Sequence, residues 1–301
     1  MMRSGLALFR ILLAFLVLAG LVLAGPIAAA EIPQHATPAF WVVEKDGKSL
    51  YLFGSVHLLP PDIKWTRNEI ERARARSEVF AFEAPLKDAE TAMARFVEAH
   101  GRLPQGKTLK DILQPSLFED LEKAAWAVQY PPKLLAPLRP WLAAVYLELY
   151  AYLKAGYSPF YGVDHIIERE ALARGAQFEY FETVEEQLSY FVKLTGEGEL
   201  NYLKATVRGV LDEPNLPADL IKAWATGNTV SLTAMIEKGF ADVPQLRDQL
   251  LIARNRNWVP RIIDMLKSGK VHFVTVGAGH LSGKDSVVAM LRARGYKVTG
   301  P

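Results

Sequence analysis

Cysteine is absent from the 301-residue sequence. This absence excludes a disulfide framework, a cysteine-ligated zinc finger, an iron–sulfur cluster and a catalytic thiol. Any bound metal ion would therefore have to be held by histidine and acidic side chains. The sequence also lacks a low-complexity tract and an internal repeat of the solenoid type. With 50% apolar and 23% charged residues, it has the composition of a globular protein.

Residues 1–30 contain the parts of a secretory signal peptide in the expected order. These parts are a basic start (Arg3, Arg10), the apolar run Ile11–Leu23, a break at Gly25-Pro26 and a small-residue cleavage site at Ala28–Ala30. The alternative is an uncleaved membrane anchor, because residues 11–30 are long enough to span a bilayer. The break and the small residues after it favour cleavage and export.

The chain expected after cleavage has no excess of basic residues. The signal peptide carries two arginines and no acid, so its removal lowers the 35 basic residues to the number of acids, 33. A neutral chain without a basic stripe is a poor nucleic-acid binder. We therefore expect no nucleic-acid partner and, after cleavage, no membrane span. The sequence leaves the oligomeric state open.

Patterns typical of strands lie near both ends of the chain, and the middle is mostly helical. An Asp46-Gly47 turn between two β-rich runs predicts a hairpin. The predicted strands are 40–44, 49–53, 79–82, 178–181, 271–276 and 296–299. The predicted helices are 68–77, 89–100, 109–113, 115–127, 139–155, 163–174, 184–194, 200–211, 218–225, 230–239, 244–267 and 284–294.

This pattern predicts an α/β fold. We expect a central mixed β-sheet built from N- and C-terminal segments, with a large helical region between them. Residues 31–38 are short, polar and punctuated by proline, which predicts a linker. Residues 39–301 are then expected to form a single domain.

Two of the six histidines lie in Gly-x-x-His motifs that directly follow a predicted strand. These motifs are Gly54–His57 and Gly277–His280. In α/β sheets, ligands bind outside the carboxyl ends of strands. If the two strands are neighbours, the imidazoles converge, and each could ligate a metal ion through one ring nitrogen. The alternative is that each histidine only forms hydrogen bonds within a turn.

The other histidines have contexts that point away from a site. His35 lies in the predicted linker and His100 at a helix end, so we expect both to be solvated. His165 falls inside a predicted helix. His272 falls at the start of a strand, which favours a structural role.

Glu83 is the third candidate, because it ends the apolar strand 79–82. A carboxylate at this position points into the same crevice or caps a neighbouring helix. Two histidines and one carboxylate with an open coordination position are typical of a catalytic metal site. Glu83 could instead be a general base, and the sequence does not separate these roles.

The first motif, Tyr51–His57 with Glu83 downstream, resembles the TraB/PrgY/GumN family of Tiki-like metalloproteases. Val276–Gly283 resembles the family's second Gly-x-x-His block. Further blocks are similar in order along the chain, namely Gly162-Val163-Asp164, Glu182-Thr183 with Glu185-Glu186-Gln187, and Arg254-Asn255. The resemblance therefore covers residues 40–299.

The resemblance implies a metal-dependent hydrolase that uses the two motif histidines and the strand-end glutamate. It also assigns candidate roles to the intervening blocks. Arg254 could bind a substrate carboxylate or an oxyanion, or form a surface salt bridge. Asn255 could bind substrate or accept a hydrogen bond from a ligand. Asp164 could be a further ligand or a helix cap, and the role of Glu182 stays open.

The residues and the resemblance together predict an exported, periplasmic hydrolase that depends on a divalent metal. His57, Glu83 and His280 are its expected metal ligands and catalytic residues. Zn²⁺, Mn²⁺ and Co²⁺ are all compatible with such a site. Peptide bonds are the favoured substrate, and small esters remain possible. The family is also similar to haem-binding ChaN-like proteins, so the alternative is a non-catalytic protein that binds haem or a peptide in the same crevice.

Overall fold

The computed structural model describes residues 32–301, so the predicted signal peptide, 1–30, lies outside the described residues. A six-stranded sheet forms the centre of the fold, in the order β4-β3-β5-β2-β1-β6. Strands β2, β5, β3 and β4 are parallel, and β1 is antiparallel to both β2 and β6. The expected mixed α/β sheet is therefore confirmed. The strands are β1 (Phe40–Lys45), β2 (Lys48–Ser55), β3 (Val79–Phe82), β4 (Gln177–Tyr180), β5 (His272–Gly277) and β6 (Lys297–Thr299).

The predicted hairpin joins β1 to β2. Lys45 pairs with Lys48, so the connection has only two residues. Asp46 and Gly47 have φ angles of 52° and 75°. Positive φ at both central positions is the geometry of a two-residue hairpin turn, and it explains the Asp-Gly sequence.

The sheet is closed by the end of the chain. Strand β5 inserts between β2 and β3, pairing Phe53 with Thr275 and Phe82 with Thr275 on its two sides. Because β2, β5, β3 and β4 run parallel, their carboxyl ends meet at one edge of the sheet. Residues far apart in the sequence are thereby brought to the same place.

Helices cover both faces of the sheet. On one face of the sheet, alternate strand residues pack against helices from the middle of the sequence. On this face the Phe273 ring contacts the rings of Phe53 and Phe80, with centroid distances of 6.0 and 5.8 Å. The opposite residues, including Leu52 and Val274, pack against helices from the end of the chain. Because both faces of the sheet are buried, these strands have apolar residues at nearly every position.

Most helices occur where the sequence predicts them, and none of those in residues 32–301 is long and apolar enough to cross a membrane. There are two main differences, an irregular turn inside a predicted helix and a short additional helix. The stretch predicted as one helix over 244–267 contains a π-helical turn at Asp248–Ile252, and a short helix at Ala278–Leu281 precedes the last one. The helices are α1 (Asn68–Arg76), α2 (Ala89–His100), α3 (Pro115–Ala127), α4 (Pro132–Leu135), α5 (Pro140–Lys154), α6 (Val163–Ala173), α7 (Val184–Val192), α8 (Gly196–Asp212), α9 (Leu216–Ala225), α10 (Thr229–Gly239), α11 (Pro244–Arg247), α12 (Ala253–Ser268), α13 (Ala278–Leu281) and α14 (Val287–Ala293), with 3₁₀ turns at Leu109–Asp111 and Pro159–Tyr161.

The segment expected to be a linker is attached to the domain over residues 34–37. The Ala36 amide donates to the Lys64 carbonyl at 2.8 Å, and the Lys64 amide donates to the Gln34 carbonyl at 2.7 Å. The Thr37 amide donates to the Ala225 carbonyl at 2.6 Å. A polar, proline-punctuated composition does not reveal such backbone pairing, because backbone groups are the same in every residue type.

Helix α5 has a half-buried acidic residue, Glu148, on its contact with α8. The Glu148 carboxylate accepts hydrogen bonds from the Tyr202 hydroxyl at 3.1 Å and the Thr206 hydroxyl at 3.0 Å. Burial raises the pKa of Glu148 to about 8, and these hydrogen bonds only partly oppose the effect. Glu148 therefore prefers to be protonated in the folded protein at neutral pH.

This raised pKa makes stability depend on pH. The Glu148 contribution is fully present below its ordinary pKa of 4.5 and is lost as the pH rises towards about 8. Glu148→Gln removes the titration. We expect the difference in the free energy of unfolding, variant minus wild type, to be more positive at pH 8 than at pH 5, by at most about 4 kcal/mol. Urea unfolding at both values measures it. The exposed Glu122→Gln variant is the control, and equal behaviour of the two variants would contradict the assignment.

Candidate functional site

The candidate site residues lie at the carboxyl edge of the four parallel strands. His57 follows β2, Glu83 directly follows β3, Glu182 follows β4, and His280 lies in α13 directly after β5. His280 Nε2 is 3.8 Å from Glu83 Oε1. Both motif histidines and Arg254 act electrostatically on the Glu83 carboxylate. The structure thus brings the three residues predicted as metal ligands to one place.

Glycines allow the motif blocks to touch one another. A Cβ atom on Gly54 would lie 3.0 Å from the Ala278 Cα atom, so the first motif packs directly against the second. A Cβ atom on Gly162 would lie 2.3 Å from the His57 carbonyl oxygen. Next to it, the Val163 amide donates to the Val56 carbonyl at 3.0 Å. Only glycine permits the second of these approaches, whereas at Gly54 a larger residue would force its neighbour to shift by a few tenths of an ångström. The Gly162 contact places that block beside the first motif.

Arg254 is completely buried and joins three of the candidates. Its Nη2 atom donates to Glu83 Oε2 at 2.6 Å, and its Nε atom donates to Glu182 Oε2 at 3.0 Å. Its Nη1 atom contacts the Leu250 carbonyl oxygen at 3.1 Å and His280 Nε2 at 3.2 Å. The sequence left Arg254 as either a substrate-binding residue or a surface salt bridge. The structure instead places its guanidinium behind the site, with no exposed surface.

Asn255 fixes the orientation of the second motif histidine. Its amide nitrogen donates to the Asp285 carbonyl at 2.8 Å, so its oxygen faces His280 Nδ1 at 2.7 Å. Because this oxygen only accepts, His280 must carry its proton on Nδ1. Nε2 then carries the lone pair of the ring, and it faces Arg254 Nη1 at 3.2 Å. Asn255 is buried, so it contacts the histidine in the way expected of a residue that supports a ligand.

The charges of this group follow from burial and from Arg254. Burial lowers the pKa of His280 to about 3, so its imidazole is neutral. Burial alone would raise the pKa of Glu83, but the charges of Arg254, His280 and His57 and a 2.7 Å hydrogen bond from the Gly277 amide lower it to about 2. At neutral pH the site therefore contains an ionised glutamate beside a neutral histidine.

His57 faces a different acidic partner. Its Nδ1 atom lies 3.0 Å from Asp164 Oδ1, although the two atoms are not aligned as a hydrogen bond. Burial is the largest single effect and would lower the pKa of His57, but the close contact with the Asp164 carboxylate and the negative charges of Asp164 and Glu83 together raise it. Asp164 comes from the first turn of α6, whose N-cap residue is Gly162, so the Asp164 side chain does not cap the helix.

A cavity of about 420 Å³ opens beside His57 and Glu83. Three buried polar atoms without a hydrogen-bond partner belong to residues that line it: Ser55 Oγ, Glu168 Oε2 and Thr275 Oγ1. Buried polar atoms in folded proteins are nearly always satisfied. A group of unsatisfied atoms around one cavity therefore indicates a place for a polar ligand.

Glu168 is a residue of this site that the sequence patterns did not indicate, and Gln187 was named only as part of the Glu182 block. Glu168 lies four residues after Asp164 in α6, and this spacing puts both acids on one helix face. The Gln187 amide donates to Glu83 Oε2 at 3.1 Å. His165 also lines the cavity, whereas His272 is buried at the opposite end of β5, where its Nδ1 atom contacts the Lys270 carbonyl at 3.0 Å.

The donor types at this site suit a divalent metal ion. Both motif histidines have their Nδ1 atom beside an oxygen atom, that of Asp164 for His57 and that of Asn255 for His280. In each ring, Nε2 is therefore the nitrogen left to coordinate a metal ion. This arrangement is typical of metal-ligating histidines. Within residues 32–301, however, no group of three His, Cys, Asp or Glu side chains is close enough to hold a metal ion.

Comparison with known proteins identifies the family of this chain. The chain belongs to the TraB/PrgY/gumN family, whose model matches residues 39–300. It is similar to the Metalloprotease TIKI1 of Danio rerio, with 26% identity over 88% of this chain and 64% of that protein. The Homo sapiens Metalloprotease TIKI1 is 24% identical over 86% of this chain and 61% of that protein. The chain thus spans less than two thirds of the length of these relatives. No solved structure gives a significant match.

The buried position of Arg254 generates a stability prediction. Arg254→Met leaves the Glu83 and Glu182 carboxylates buried without their cation. We expect a loss of about 3–5 kcal/mol in the free energy of unfolding. Urea denaturation measures this loss, and the exposed Arg256→Met variant on the same helix is the control. A loss below about 1 kcal/mol, the size expected of a surface pair, would show that Arg254 does not neutralise these carboxylates.

Proposed function

We propose that this protein is an exported, metal-dependent hydrolase that cleaves peptide bonds. The observation that carries the proposal is the ionised Glu83 beside both Gly-x-x-His motifs at the wall of a polar cavity. Its similarity to two proteins named as metalloproteases supports the reaction class. His57, Glu83 and His280 would hold the ion, which we expect to be Zn²⁺, Mn²⁺ or Co²⁺. Small esters are the second substrate class.

A divalent ion at this site would supply Lewis acidity towards water and a substrate carbonyl. Asp164 and Asn255 hold the rings of His57 and His280 through Nδ1. The present partner of His280 Nε2 is Arg254 Nη1, at 3.2 Å. Metal ligation by His280 therefore requires that this contact be replaced.

The charge state of Glu83 favours one of its two candidate roles. A general base is most effective when its pKa lies near the working pH. The pKa of Glu83 is lowered to about 2 by the charges around it, so it accepts a proton poorly at neutral pH. It remains ionised, as a metal ligand must be. We therefore assign Glu83 as a ligand rather than as the general base.

The haem-binding alternative fits the site less well. His280 is fully buried, with its ring 4.4 Å from that of Trp258 and its Nε2 atom against Arg254. The cavity thus presents His57 as the motif histidine with access to a ligand. Non-catalytic peptide binding uses the same cavity, and turnover of a peptide separates it from the hydrolase.

Export, the periplasm and the partners remain part of this proposal. Export rests on the signal-peptide pattern of residues 1–30. The periplasm rests on the family resemblance. A peptide or small ester is the proposed partner, and neither nucleic acid nor a membrane span after cleavage is expected.

The metal can be tested by its content in protein purified without a chelator. We expect about one divalent ion per chain by mass spectrometry, as in a single catalytic metal site. His57→Ala and His280→Ala should each lose the ion, because each removes a ligand. His100→Ala changes an exposed histidine away from the site and should retain it.

Two results would contradict this mechanism. One is a wild-type protein that is purified without metal and also fails to take up Mn²⁺, Co²⁺ or Zn²⁺. The other is a His57→Ala variant that keeps full turnover on a substrate that the wild type cleaves.

A further inference from the structure

The cavity beside His57 is lined by five acidic side chains. They are Glu83, Asp88, Glu90, Asp164 and Glu168, and no lysine or arginine of the described residues lines it. A cleft lined by charges of one sign concentrates their field and attracts groups of the opposite sign. The cavity therefore favours a cationic ligand over an anionic one.

Two of these acids already face a cationic or protonatable side chain. Glu83 is paired with Arg254 at 2.6 Å, and Asp164 faces His57 at 3.0 Å. Glu168 has no basic partner within residues 32–301. Its Oε1 atom accepts from the Tyr180 hydroxyl at 2.8 Å, whereas its Oε2 atom is buried without a partner.

Glu168 is only 8% exposed, so the cost of its unpaired oxygen is not removed by bulk water. Burial also raises the pKa of Glu168. A positively charged donor in the cavity would satisfy Oε2 and stabilise the ionised carboxylate. The geometry thus makes Glu168 the acid that is best placed to gain from a cationic ligand.

Two hydroxyl groups on the sheet provide a second, independent observation. Ser55 and Thr275 are 2% and 1% exposed, both line the cavity, and neither hydroxyl oxygen has a hydrogen-bond partner. They belong to the adjacent strands β2 and β5. The apolar side chains of Phe82, Leu86 and Phe160 complete the lining. Such a combination suits an aliphatic chain that ends in a polar group.

We propose that this cavity binds a positively charged group of the substrate, either a lysine or arginine side chain or an amino terminus, and that Glu168 selects the charge. The inference rests on the proposed function for the identity of the substrate as a peptide. Binding of the charged group itself does not require hydrolysis, so the two can be tested separately.

The hydrolysis test uses pairs of peptides in which lysine is replaced by norleucine, which keeps an aliphatic chain and removes the charge. We expect kcat/KM to be at least about 10-fold higher for the lysine peptide, the effect of a charge-assisted hydrogen bond. Glu168→Gln should remove this preference, because it keeps the shape of the side chain and loses its charge. Glu185→Gln, an exposed glutamate on α7, should retain the preference. Peptides with an acetylated amino terminus show whether that terminus supplies the charge.

The binding test uses pentylammonium and pentanol as probes, followed by NMR chemical shifts, so it needs no turnover. We expect pentylammonium to bind the wild type more tightly than pentanol and to lose this advantage in Glu168→Gln. This result without any peptide cleavage would mean that the proposed function fails while the cationic subsite stands. Equal binding of the two probes, no binding of pentylammonium, or an unchanged Glu168→Gln variant would overturn the subsite.

Discussion

One buried guanidinium holds the site together, because Arg254 supplies the positive charge that compensates the Glu83 and Glu182 carboxylates. Ionised carboxylates inside a protein are costly unless a cation and further donors accompany them. The further donors here are the Gly277 amide for Glu83 and the Trp258 indole, at 3.1 Å, for Glu182. This network keeps Glu83 ionised beside a neutral His280, and that pair gives the site its chemical character.

The topology of the sheet explains how this network forms. Glu83 and Glu182 follow neighbouring parallel strands, and the final segment of the chain supplies Arg254 and His280. Strand β5 separates β2 from β3, so the cluster at its carboxyl end cannot assemble until the last third of the chain is in place. Such long-range pairing is expected to form late in folding. A complete domain is therefore a condition for the complete site.

Sequence patterns predicted the parts of this site that depend on strand ends. His57 and Glu83 could be identified because each follows an apolar strand, and the fold class followed from strands at both ends of the chain. The buried role of Arg254 could not be predicted, because an arginine in a charged helix is usually exposed. Glu168 was missed because its significance depends on which helix face meets the cavity, and a helix pattern alone does not specify its neighbour.

The central claim is that the strand-end cluster is a divalent-metal centre. Anomalous X-ray diffraction from crystals grown with Mn²⁺ tests it most directly, because the signal locates the ion independently of the protein atoms. The account predicts one strong peak per chain, within bonding distance of His57, Glu83 and His280, with Arg254 Nη1 no longer on His280 Nε2. No peak at the carboxyl edge of the sheet, or a peak bound to none of these three residues, would contradict it.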